Sequence, residues 1–76
     1  MSNSQENLPV GKQVRRQRIL RDESQKVFAA ASGISVRTLS KVERGMCEPK
    51  IETCLKIAGH VGLPPEQIFG NEKFPK

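Results

Sequence analysis

The sequence predicts an all-α fold, a compact bundle of four to five short helices around a central helix-turn-helix. Three observations predict it. Apolar residues recur at helical spacing, most clearly in Ile51, Cys54, Leu55, Ala58 and Val61. No segment shows the two-residue alternation of a half-buried strand. Start and stop residues divide the chain at short intervals: Ser24 and Ser35 fit N-caps, while Gly33, Gly45 and Gly62 fit helix ends.

The first helix is expected from about Pro9 to Arg21, with the proline tolerated in its first turn. Val10, Val14, Arg18 and Arg21 share one side of it, which is unusual for a face turned to a core. Ile19 and Leu20 lie away from that side, and they are expected, with Val27, to cover part of the core edge. The other reading of these three is a surface apolar patch for another protein. Ser24 opens the second helix, and Phe28 and Ala29 give it an inward face. Gly33 ends it, since glycine takes φ > 0 without a Cβ clash. Ser35 caps a third helix, in which Leu39 and Val42 point one way and Arg37, Lys41 and Arg44 roughly the other. Gly45 fits its end, and Pro49 blocks continuation. The fourth helix is expected over Ile51–Val61, with Ile51, Cys54, Leu55, Ala58 and Val61 inward and His60 opposite. Glu52 complements its dipole. Gly62 can end it, and Pro64-Pro65-Glu66 opens a short last helix anchored by Ile68 and Phe69. The expected organisation is therefore a polar arm over residues 1–8, one domain over 9–70 and a fraying tail over 71–76.

A chain of 76 residues makes one small domain; at this size only about 60 % of the unfolded surface is buried, so stability is marginal. Thirteen Lys and Arg against eight Asp and Glu leave a net charge of +5. Lys12 to Arg21 holds five basic residues and no acid. That excess favours a polyanion, either nucleic acid or an anionic membrane surface. No apolar run approaches the ~20 residues of a transmembrane helix, and neither a signal peptide nor a location outside the cytoplasm is expected. Cys47 and Cys54 then read as reduced thiols. Their spacing with His60 does not fit a zinc site, and no metal or other cofactor is expected. No enzyme constellation stands out: Asp22-Glu23 reads as a solvated turn, no glycine-rich phosphate loop follows a strand, and no catalytic activity is expected.

A helix with an aliphatic back and a cationic front, set at a fixed angle by a short turn, suits insertion into a DNA groove. The series from Gln25 and Ala29 through Ser32-Gly33-Ile34-Ser35 to Val42-Glu43-Arg44-Gly45 resembles the helix-turn-helix of the phage lambda-repressor and Cro-like family of transcription regulators. The likeness continues through Pro49 to Leu63-Pro64-Pro65-Glu66-Gln67-Ile68-Phe69, and covers roughly residues 10 to 69. Two departures stand out: Gln17 occupies a position where leucine is common, and Asp22-Glu23 replaces a common Gly-Leu pair.

The resemblance implies a set of roles. Double-stranded DNA is the expected partner. Base edges would be met from the first turns of the recognition helix, by Ser35, Val36, Arg37, Ser40 and Lys41. Arg37 is the strongest of these, because its fork matches guanine O6 and N7. Val36 can meet a thymine methyl or tuck toward the core edge. Phosphates would be held by Ser24, Gln25, Thr38, Arg44 and Lys50, with Gln25 at a helix N-terminus that itself favours an anion. Arg18 and Glu43 would form a structural ion pair. A homodimer would join through Leu63, Pro64, Pro65, Ile68 and Phe69, although Phe69 can equally cap its own core. The N-terminal arm can reach around DNA or be an idle tail. The expected function is sequence-specific regulation of transcription, as a repressor on a near-palindromic operator. The alternative is a protein-interaction module, such as an antitoxin, that binds a protein partner and uses DNA only for autoregulation; Ile19, Leu20 and Val27 would then be exposed. A third reading is non-specific nucleoid binding.

Overall fold

A computed structural model describes residues 9–70. The expected arm over 1–8 and tail over 71–76 lie outside the described residues. Among the described residues five helices follow one another: α1 (Val10–Leu20), α2 (Gln25–Ser32), α3 (Val36–Glu43), α4 (Ile51–Val61) and α5 (Pro65–Phe69). There is no strand among the described residues. α3 packs against α1 and α2, α4 against α2 and α5, and α5 also against α1.

Local chemistry sets the boundaries. The Ser24 hydroxyl accepts from the Val27 amide at 3.1 Å, and Ser35 accepts from the Thr38 amide at 3.0 Å. Both satisfy an N–H that the first turn leaves unpaired. α2 and α3 end alike. Gly33 takes φ 80° and Gly45 φ 72°, and the amides beyond them close back, Ile34 on Ala29 at 2.9 Å and Met46 on Lys41 at 2.9 Å. Such closures satisfy the last carbonyls and turn the chain sharply. α1 ends the same way without a glycine. Asp22 takes φ 58°, and the Glu23 amide closes on Arg18 at 3.2 Å.

The core consists of Val14, Phe28, Ala29, Leu39, Val42, Cys54, Ile57, Ala58, Val61, Ile68 and Phe69, with Val10, Ile34 and Leu63 packed at its edge. Three expectations are corrected here. Ile51 and Leu55 do not face inward: they are 52 % and 50 % exposed, and Ile57 is buried in their place. The buried line Cys54–Ile57–Ala58–Val61 is turned by roughly an eighth of a turn from the expected one. The rotation follows from α2 and α5 both packing against α4. His60 does not lie opposite the core. Its ring stands edge-on to Phe28, centroids 4.9 Å apart, and its Nε2 is 2.8 Å from Glu23 Oε1. Ile19, Leu20 and Val27 do not cover the core edge; they are 54 %, 67 % and 52 % exposed. Ile68 and Phe69 place their side chains in the core of their own chain, because a five-residue helix has little else to anchor it.

The joint between α1 and α2 is polar, as its departure from the usual apolar pair foreshadowed. Arg18 Nη1 donates to the Glu23 carbonyl at 3.0 Å. An Arg21 guanidinium N–H donates to the Val61 carbonyl. With the Glu23–His60 contact, these tie the loop to the end of α4. That loop leads directly into Ser24 and Gln25, so the entry to α2 is held at a fixed place.

Candidate nucleic-acid interface

α3 separates its residues by face. Leu39 and Val42 are buried. At 100° per residue, Arg37, Ser40, Lys41 and Arg44 centre roughly 180° from that pair. Arg37 and Arg44 are exposed, and Ser40 and Lys41 half-exposed. None of the four cations or hydroxyls on this face is drawn into the core, and three positive charges fall on about two turns of helix. Val36 stays at the surface, 42 % exposed, so it is not consumed at the core edge.

The turn between α2 and α3 holds this face outward. Gly33 supplies the left-handed backbone, and the half-buried Ile34 packs on the core at the bend. Ser35 then does two jobs at once. It accepts from the Thr38 amide and donates to Thr38 Oγ1 at 2.9 Å. Its hydroxyl is engaged as a cap, and the Thr38 hydroxyl oxygen is held against it.

The other end of α3 is clamped by α1. Arg18 Nε donates to Glu43 Oε2 at 2.8 Å, and Nη2 donates to Oε1 at 3.2 Å. The planar fork meets both oxygens of one carboxylate. Gln25 Nε2 donates to the same Oε1 at 3.1 Å. Glu43 thus joins α1, the first turn of α2 and the last turn of α3. Its side chain is 3 % exposed, a burial that a lone carboxylate would not tolerate and three donors make possible.

Backbone contact closes the clamp. A Cβ placed on Gly11 would meet the Val42 carbonyl oxygen and stand 2.6 Å from that of Glu43. Only glycine allows α1 to approach the end of α3 so closely. Sequence reasoning passed over this residue, since nothing about a glycine in a helix's first turn distinguishes a packing role from a weak propensity. The Glu23–His60 contact was missed for a similar reason, being a pairing across 37 residues.

The remaining expected residues lie outside α3. Ser24 and Gln25 stand at the start of α2, and exposed Lys50 precedes α4. A shallow groove lined by Thr38, Lys41, Thr53 and Lys50 runs between α3 and the start of α4. Of the residues expected at a dimer contact, Pro64 is exposed, Leu63 and Pro65 are half-buried, and Ile68 and Phe69 are buried. Cys47 is exposed and Cys54 buried. No helix among the described residues is long and apolar enough to cross a membrane.

Comparison with known proteins agrees with this fold. A crystal structure of the restriction-modification controller protein C.AhdI from Aeromonas hydrophila is similar in fold. Its TM-score is 0.76 at 28 % sequence identity, over 80 % of this chain and 92 % of that one. No curated protein matches the chain in sequence. The helix-turn-helix family model HTH_3 matches residues 14–68. With the α2–turn–α3 unit set as described, the chain belongs to the lambda-repressor and Cro-like helix-turn-helix family of DNA-binding transcription regulators.

Proposed function

We propose that this protein regulates transcription by binding a near-palindromic operator as a dimer, with α3 of each subunit in the major groove. The observation that supports it most is the placement of Arg37, Ser40, Lys41 and Arg44 on the side of α3 opposite Leu39 and Val42. Arg37 reads guanine through two hydrogen bonds, worth about 1–3 kcal/mol of discrimination. Lys41, Ser40, Val36 and Ser35 complete the base-facing surface. Ser24, Gln25, Thr38, Arg44 and Lys50 hold phosphates. Gln25 is oriented for this by its bond to Glu43, which leaves a second amide N–H and the helix N-terminus for the anion.

One α3 spans only a few base pairs, so two copies set about 34 Å apart are needed for a specific site. The face that joins them is the one the family resemblance implies, Leu63, Pro64, Pro65, Ile68 and Phe69, of which Leu63, Pro64 and Pro65 keep exposed surface; to it we add, as part of the proposal, the exposed Ile51 and Leu55 on α4. Occupancy of a promoter by such a dimer blocks polymerase, which makes repression the simplest outcome. Likeness to a restriction-modification controller protein supports control of genes over general packaging of DNA.

Selection from random double-stranded oligonucleotides tests the reading. Enrichment of a two-fold symmetric sequence with half-sites one helical turn apart is the expected result. Recovery of no preferred sequence would favour non-specific binding. A second reading has the exposed Ile19, Leu20 and Val27 behind it: an antitoxin-like module that binds a protein and uses DNA only for autoregulation. A tight protein partner together with weak specific DNA binding would select it.

A further inference from the structure

The outer face of α1 has no part in the DNA reading, and its pattern is distinctive. Lys12, Arg15, Arg16, Ile19 and Leu20 line one shallow groove. They follow helical spacing, so cations occupy the first two turns and aliphatic side chains the last. The stripe centres roughly 135° round the helix from the Gly11–Val14–Arg18 line through which α1 meets α3 and the core. Ile19 and Leu20 are each more than half exposed. Among the described residues, no carboxylate pairs with Lys12, Arg15 or Arg16.

We propose that this face docks an acidic amphipathic helix of another protein, with carboxylates against Lys12, Arg15 and Arg16 and aliphatic side chains against Ile19 and Leu20. Two features select that occupant. Phosphate binding needs cations alone and makes no use of two adjacent exposed aliphatics. Insertion into a lipid surface needs an apolar stripe along the length of a helix, whereas this one covers a single turn. A segment that is acidic at one end and aliphatic at the other complements both halves. The proposal stands apart from the operator reading, since none of these five residues belongs to the expected DNA contacts.

The full chain, labelled with nitrogen-15, is titrated with a synthetic helical peptide bearing glutamates and leucines in the complementary order. Saturable shifts of the Lys12–Leu20 amides are expected. Affinity should fall at least tenfold for Arg15→Glu/Arg16→Glu and for Ile19→Ser/Leu20→Ser, with melting temperatures unchanged. Leu20→Ser alone serves if the double variant loses its fold. Equal binding by a peptide with serines for leucines would overturn the proposal, as would shifts centred on α3. So would stronger perturbation of the same amides by phosphatidylglycerol vesicles or by a random-sequence duplex.

Discussion

Arg18 grips both oxygens of Glu43, and the two residues differ in how deeply they sit: their side chains are 15 % and 3 % exposed. The asymmetry sets the outcome of mutation. Arg18→Ala leaves a nearly buried carboxylate with only the Gln25 amide, and breaking a buried pair costs about 3–5 kcal/mol. Glu43→Ala leaves a guanidinium that still reaches the Glu23 carbonyl and some water. Arg18→Ala is therefore expected to lower the melting temperature by more than about 10 °C, and Glu43→Ala by less. Thermal unfolding followed by circular dichroism decides it; a larger loss from Glu43→Ala would contradict the account.

Gly11→Ala is expected to destabilise, although alanine is the better helix former by about 1 kcal/mol. The new methyl would collide with the Val42 and Glu43 carbonyls. Forcing extra atoms into a closed contact costs about 1–3 kcal/mol. A variant as stable as the parent would mean that α1 and α3 can separate freely.

Asp22→Gly should act in the opposite direction. Asp22 holds φ 58° at the end of α1 and is exposed. Relief of the left-handed strain should stabilise the fold by about 0.5–1 kcal/mol. Denaturant midpoints at constant slope measure this, and an unchanged or lower midpoint would count against it.

The DNA roles separate by specificity. Arg37→Ala is expected to relax preference at one base pair per half-site. Arg44→Ala should weaken all sequences alike and reduce the salt slope by about one. Binding isotherms on the selected operator and its point variants, across a range of salt, make the comparison; sequence-blind losses of equal size in both would reject the assignment.

The dimer face has its own test. Leu55→Glu should raise the dimer dissociation constant at least tenfold while leaving the monomer's melting temperature intact, because the side chain is half exposed in the single chain. Sedimentation equilibrium reads both states. An undisturbed dimer would place the contact elsewhere.

Capping and stop residues were legible because they act within a few positions. Ser24, Gly33, Ser35 and Gly45 bound helices by hydrogen bonds that close over three to five residues, so their spacing alone located α2, the turn and α3. The two-faced character of α3 was equally legible from its period. The orientation of α4 was not. Ile51, Leu55 and Ile57 are similar in hydrophobicity, and the choice among them depends on where α2 and α5 lie.

By itself, the sequence determined the helices, the turn that joins α2 to α3 and the cationic front of α3, since each follows from neighbours along the chain. Tertiary structure decided which aliphatics α4 buries, brought Glu23 to His60 and set Gly11 against Val42. Those contacts join residues tens of positions apart, and local periodicity carries no information about which distant surface a side chain will meet.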